Sequence, residues 1–146
     1  TGTYVNSIVA LQDAVAKGAD EALILDNDGY ISEGSGENIF FLKDGLIMTP
    51  TTKNCLNGIT RQSVIEIAKG LGHKVEEGDW SYEHITECDE AFFTGTAVEV
   101  TPITKIDGKI ISNGTIGSIT KEIQTNYENA VLGTDDNSRN WLTYIE

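Results

Sequence analysis

Apolar residues recur at helical intervals in three places along the chain and crowd into short strand-like runs between them. Ile8, Leu11 and Val15 share one face of a helix predicted from Tyr4 to Lys17, with Gly18 beyond its end. Strands then dominate. Glu21 to Asp26 and Tyr30 to Ser32 flank Asn27-Asp28-Gly29, while Asn38 to Leu42 and Leu46 to Thr49 flank Lys43-Asp44-Gly45. Asp-Gly pairs between apolar runs are strong hairpin signals, because tight turns of the right twist demand residues that tolerate positive φ. Val64, Ile67, Ala68 and Leu71 restore helical spacing from Thr60 to Leu71, closed by Gly72. A shorter helix is predicted from Ser81 to Glu87. Glu90 to Pro102 reads as an apolar strand running into a loop of small residues and then another strand, and a last strand pair brackets Asp107-Gly108. The closing helix, Ser118 to Val131, carries an i+4 stripe of Ile119, Ile123, Tyr127 and Val131 suited to packing on a sheet. Helices and strands alternate without repeats or a low-complexity linker, so the 146 residues read as one α/β domain with a single core.

Charge narrows the function. Ten Lys and Arg against 23 Asp and Glu give a net charge of −13, which opposes a nucleic-acid backbone and an acidic membrane surface alike. No apolar run approaches the ~20 residues that span a bilayer, and no secretory signal is visible. Cys55 and Cys88 match neither a CxxC redox motif nor a zinc pattern and are expected as free thiols in the cytoplasm. His73 and His84 lack metal-ligand spacing and are expected to be structural or exposed. The acidic clusters Glu76-Glu77, Glu87 to Glu90 and Asp135-Asp136 are expected to be solvated faces, and no metal site is expected.

Three segments carry candidate chemistry. In Gly29-Tyr30-Ile31-Ser32-Glu33-Gly34-Ser35-Gly36-Glu37-Asn38-Ile39-Phe40 a carboxylate stands among glycines just before an apolar strand. Glu33 would suit a buried cationic ring nitrogen, with Gly34 and Gly36 letting a ligand approach the main chain; the plain alternative is a turn with Glu33 and Glu37 solvated. In Leu56-Asn57-Gly58-Ile59-Thr60-Arg61, Thr60 falls at a helix start, where unpaired N–H groups and the positive dipole end favour an anion such as phosphate. An ordinary threonine cap is the alternative there. The third segment, Glu90-Ala91-Phe92-Phe93-Thr94-Gly95-Thr96-Ala97-Val98-Glu99-Val100-Thr101-Pro102, offers successive N–H groups at Gly95, Thr96 and Ala97 as a second anion site, or simply a tight connection.

In this order the three segments resemble the fold-type IV pyridoxal-phosphate enzymes, and most closely the branched-chain amino-acid aminotransferases. The resemblance runs from Tyr4 through Ser-Glu-Gly-Ser-Gly-Glu-Asn, Gly-Ile-Thr-Arg and Gly-Thr-Ala-x-Glu-Val-Thr-Pro to Trp141-Leu142. It implies an α/β pseudo-barrel of mixed strands surrounded by helices, with pyridoxal 5'-phosphate as cofactor and an amino acid and a 2-oxo acid as substrates. Carried over residue by residue, it implies that Glu33 pairs with the pyridine nitrogen and Tyr4 hydrogen-bonds the ring oxygen. Leu56 would lie against a ring face, and Ile59, Thr60 and Thr96 would bind the phosphate. Thr96 and Ala97 would face the substrate carboxylate, while Asn38 and Glu37 are read as supporting residues. The family's Schiff-base lysine corresponds to a position upstream of Thr1, and no lysine of this chain, Lys17, Lys53, Lys69 and Lys121 included, stands at a matching place. The chain is therefore expected to be the C-terminal cofactor-binding domain, inactive alone, of an enzyme whose small domain and catalytic lysine lie elsewhere and which assembles as a homodimer or higher homo-oligomer. A D-amino-acid transaminase, an aminodeoxychorismate lyase and a non-catalytic scaffold stay open as alternatives.

Overall fold

A computed structural model describes residues 4–134 and 141–143; Asp135-Asp136 lies outside them. The elements follow in the order α1 (Tyr4–Ala16), β1 (Leu23–Leu25), β2 (Ile31–Gly34), β3 (Asn38–Lys43), β4 (Leu46–Pro50), α2 (Ile59–Gly70), β5 (Lys74–Gly78), α3 (Tyr82–Thr86), β6 (Glu90–Gly95), β7 (Glu99–Ile103), β8 (Lys105–Ile106), β9 (Lys109–Ile110) and α4 (Ser118–Val131). Five strands join as β5-β4-β3-β6-β7, with β4 and β5 parallel and the other neighbours antiparallel. β1 pairs with β2, and β8 with β9, in separate hairpins. The mixed α/β class read from the sequence is thus the class of the structure. The turn chemistry holds as well: Asp44-Gly45 and Asp107-Gly108 all adopt positive φ between 45° and 84°, and Gly29 lies at 85°.

β3 is buried on both faces, because alternate side chains feed two cores. Phe40 and Leu42 point with Ile47, Phe92 and Val100 toward Val64, Ile65 and Ala68 of α2 and Ile123 of α4. Phe40 and Phe92, opposite each other in register, stack with ring centroids 5.0 Å apart. Ile39 and Phe41 point the other way, with Met48 and Ala91, onto Ile31, Ile85 and Ile111. Each fully buried side chain of this kind stabilises the fold by about 1.5–3 kcal/mol.

The structure departs from the sequence reading in four places. β5 has no counterpart among the predicted strands, since Lys-Val-Glu-Glu-Gly holds one apolar residue and the strand owes its place to parallel pairing with β4. Its Glu77 is not merely solvated but accepts a hydrogen bond from the buried Arg61. Glu90 is 9 % exposed and also no part of a solvated face: it caps the start of α4, where its Oε2 accepts the Thr120 N–H at 2.8 Å and the Thr120 hydroxyl at 2.7 Å, and its Oε1 accepts the Ile119 N–H at 3.2 Å. The α4 stripe is shorter than its pattern, for Ile119, Ile123 and Tyr127 meet the core while Val131 is exposed. In α1, Ser7, Ala10, Leu11 and Ala14 are half-buried, whereas Ile8 and Val15 of the expected face lie exposed.

Because the Glu90 carboxylate fills the space beside the α4 N-cap Gly117, a Cβ there would stand 2.0 Å from its Cδ. Glu90→Ala and Gly117→Ala are each expected to cost about 2–3 kcal/mol in urea unfolding. The double variant should cost clearly less than their sum, since the clash and the cap involve one carboxylate.

Candidate functional site

The site is built on the loop between β4 and α2, which three side chains from β2 and β3 hold in place. The Ser32 hydroxyl donates to the Asn54 carbonyl at 2.6 Å, Glu33 Oε2 accepts the Leu56 N–H at 2.9 Å, and the Asn38 side-chain amide donates to the Leu56 carbonyl at 2.7 Å. Gly58 completes the fit by lacking a side chain, since a Cβ there would stand 2.3 Å from Asn38 Oδ1.

This latch aims the start of α2. The N-cap is Gly58, with no side-chain cap, and the Gly58 carbonyl accepts the Gln62 N–H at 3.0 Å. The N–H groups of Ile59, Thr60 and Arg61 have no acceptor among the described residues, so the helix presents three donors and its positive dipole end to an anion. Thr60 is therefore not the cap; it is the second helical residue, buried, beside an Ile59 that is 81 % exposed.

Arg61, which the sequence reading gives no role, anchors this turn. Its guanidinium is 2 % exposed and donates through Nη2 to the Pro50 carbonyl at 2.9 Å and to Glu77 at 2.5 Å, tying α2 to the ends of β4 and β5. The signal lay inside Gly-Ile-Thr-Arg, but its partner sits on the strand that carries no pattern.

The other two segments meet the first through the sheet. Asn38 pairs in register with Thr94, and both side chains face α2. The Thr94 hydroxyl is wholly buried and has no hydrogen-bond partner among the described residues. At the turn between β2 and β3, the Gly34 N–H donates to the Glu37 carbonyl at 2.7 Å, and the Gly36 carbonyl stands 3.6 Å from the point a Cβ on Gly95 would occupy. Thr96 and Ala97 form the exposed hairpin that follows, their N–H groups without acceptors among the described residues. Glu99, paired with Gly95, closes the hairpin at a φ of 52°. Glu33, Leu56, Ile59, Thr60, Thr96 and Ala97 thus belong to three segments in mutual contact. Tyr4 lies 64 % exposed at the start of α1, and no hydrogen bond among the described residues ties it to the others.

Two titratable groups respond to this packing. Burial raises the Glu37 carboxyl above its ordinary range, with the Gly36 N–H opposing and Glu21 and Glu33 adding repulsion. Burial also raises the Cys55 thiol, against the pull of Arg61, so Cys55 beside the loop is a protonated, weakly nucleophilic group. His73 bridges to Glu122 of α4 at 2.8 Å, and the exposed His84 shares a hydrogen bond through Nδ1 with the Ser81 hydroxyl at 3.0 Å. Near the start of α2, Trp141 joins Ile59, Gln62, Ser63 and Glu66 around an open depression of about 260 Å³. Chemically, the assembly offers three unpaired N–H donors at the start of α2, a half-buried carboxylate at Glu33, and two further unpaired N–H donors at the β6–β7 hairpin, all among the described residues.

Comparison with known proteins covers the same three segments. The family Amino-transferase class IV matches residues 1–106. A branched-chain-amino-acid aminotransferase of Pseudomonas aeruginosa is 47 % identical over 99 % of this chain and 47 % of its own length, and that of Escherichia coli K12 is 40 % identical over the same shares. Among solved structures, a branched-chain amino acid aminotransferase complexed with N-(5'-phosphopyridoxyl)-L-glutamate superposes with a TM-score of 0.95 at 48 % identity, over 98 % of this chain and 49 % of that one. The PLP form of the Thermobaculum terrenum enzyme gives 0.93 at 39 % identity, over 96 % of this chain and 46 % of that one. The chain spans about half the length of the relatives it matches.

The latch makes a direct demand on Gly58. Gly58→Ala should lower the thermal midpoint and weaken anion binding at the start of α2. Asn38→Ala in the same chain should recover part of the stability loss, because the added methyl then meets no amide. Equal midpoints for Gly58→Ala and the wild type would show that the loop yields.

Proposed function

The chain belongs to the class IV aminotransferases, and from that membership we propose that it is the pyridoxal-phosphate-binding domain of a branched-chain amino-acid:2-oxoglutarate aminotransferase. The observation that carries the proposal is the uncapped start of α2, held by its loop to Glu33: one latch joins a seat for a phosphate to a carboxylate for a pyridinium ring.

The residues present fit the cofactor. Three helix-start amides lack acceptors among the described residues, so the start of α2 has polar capacity that a phosphate would use. Glu33 spends one oxygen on the Leu56 N–H, leaving the other for a ring N–H. That contact also fixes Leu56, whose side chain is 67 % exposed here and available to lie against a ring face.

Pyridoxal phosphate, when bound, supplies an electron sink for the bond broken at the amino acid's Cα. Glu33 keeps a proton on the ring nitrogen by charge pairing, which makes that sink effective. Ile59 and Thr60 hold the phosphate through their amides and the Thr60 hydroxyl, with Thr96 adding its amide and hydroxyl. The Thr96 and Ala97 amides orient the substrate carboxylate. Tyr4 supplies a phenol for the ring oxygen and tunes its charge. The lysine that moves the proton at the substrate carbon is assigned to the remaining half of the protein, together with most of the side-chain pocket. The wider setting of this reading is a homodimer in the cytoplasm, supported by the apolar outer stripe of α1 and by two free thiols.

In the full-length protein, Thr60→Ala and Thr96→Ala should each weaken cofactor binding by about 1–2 kcal/mol, read by equilibrium titration; unchanged affinity in both rejects the phosphate assignment. Glu33→Gln should cut kcat far more than it moves the thermal midpoint at full cofactor occupancy. Near wild-type turnover in that variant would remove Glu33 from the mechanism.

A further inference from the structure

A cavity of about 340 Å³ lies along the flank of α2, between the helix, the loop before it and β5. Arg61, Ile65 and Lys69 recur at every fourth residue of the helix and line it as one stripe. Glu66 stands beside them, Asn57 enters from the loop and Glu77 from β5. None of Glu33, Leu56, Ile59, Thr60 and Thr96 lines it, so it is distinct from the seat at the start of α2. Its volume falls at the lower end of ligand sites, about 300–1,000 Å³, which suits a small metabolite.

Arg61 is the group that the fold leaves incompletely used. Its side chain is 2 % exposed, and Nη2 meets the Pro50 carbonyl and Glu77. Nε is buried without a partner, and Nη1 enters no hydrogen bond, among the described residues. A guanidinium carries N–H donors on all three nitrogens, and a buried donor left unmet is costly, so clamping the helix accounts for one nitrogen of three. Glu77 gives Oε2 to Arg61 and keeps Oε1, while Glu66 and Lys69 are exposed and form no ion pair among the described residues. Two cations and two carboxylates thus line one cavity around the apolar Ile65. A ligand of one charge sign is repelled by half of them, whereas a ligand carrying both signs meets a partner for each.

We propose that this cavity is a binding site for an apolar α-amino acid in its zwitterionic form. The carboxylate takes the unused side of Arg61 with the Asn57 side-chain amide, the ammonium takes Glu66 and the free oxygen of Glu77, and the aliphatic side chain lies over Ile65. Lys69 stands about 12 Å along the helix axis from Arg61, too far to share one carboxylate unless it folds back, so the buried guanidinium sets the carboxylate's place. This recognition does not depend on which group the start of α2 holds. Its position has a consequence all the same, because Arg61 directly follows Thr60 and the ligand touches the turn that aims the proposed phosphate seat.

The test uses the full-length protein with its reaction site filled by N-(5'-phosphopyridoxyl)-L-glutamate, which joins cofactor and amino acid in one molecule, so any further amino acid must bind elsewhere. Equilibrium dialysis with labelled L-leucine should then show one added equivalent per chain, with a Kd of about 1 mM or tighter. Two probes that each lack one charge, 4-methylvalerate and 3-methylbutylamine, should bind about tenfold more weakly or worse. Since Arg61 also clamps α2, the deciding variants are Glu66→Gln and Asn57→Ala, whose side chains enter no hydrogen bond among the described residues. Each should keep the wild-type thermal midpoint and weaken leucine binding roughly two- to fivefold, as for one partly exposed polar contact. No leucine bound to the filled protein overturns the site, as does equal affinity for leucine and 4-methylvalerate, or leucine binding that neither variant weakens. Failure of the filling compound to bind counts against the proposed function alone, and the same leucine titrations are then read on the unfilled protein.

Discussion

The side-chain amide of Asn38 ties the site to the sheet. It stands at the end of the central strand β3, opposite Thr94 of β6, holds the Leu56 carbonyl and leaves room at Gly58 for hydrogen alone. A helix start can seat an anion only if it is fixed in space, because a mobile dipole gains little from a charge it must first be ordered around. Asn38, with Ser32 and Glu33, transfers the rigidity of a strand buried on both faces to a loop that has little core of its own. Arg61 does the same from the opposite side, clamping α2 to the ends of β4 and β5.

Much of the fold was legible because its signals are local. The Asp-Gly turns at 44–45 and 107–108 follow from the φ each position must adopt, and α2 and the core of α4 follow from apolar spacing. What stayed hidden depends on partners far apart in sequence. β5 exists because β4 offers it a parallel edge, and no alternation in Lys-Val-Glu-Glu-Gly announces it. Glu90 reads as one more acid in a polar stretch until α4 arrives to place backbone donors around its carboxylate. The outer stripe of α1 shows the same limit in reverse, since spacing identifies a helix but not which of two apolar stripes turns inward.

The site residues were legible as motifs and not as geometry. Sequence marked Glu33, Thr60 and Thr96 as groups of the right kind; the structure adds that Glu33 reaches the helix through the Leu56 amide, and that Gly58 takes the capping position open to Thr60 on sequence alone. The supporting carboxylates were the least visible. Glu21 lies outside every motif, and its part appears only where its carboxylate accepts the Ser35 N–H across the glycine turn.

The latch also divides the loop before α2 into two parts of different tolerance. Asn54, Leu56 and Gly58 are each held by a specific contact, and Asn54 is bound a second time, its side chain donating to Asp26 at 2.7 Å. Thr52 and Lys53 are exposed and enter no hydrogen bond among the described residues. Closing a loop lengthened by a few residues adds only a few tenths of a kcal/mol. Insertions and deletions in such proteins should therefore gather at 52–53, where length can change without moving the helix, and the segment from Asn54 onward should keep its length wherever an anion is seated at the start of α2.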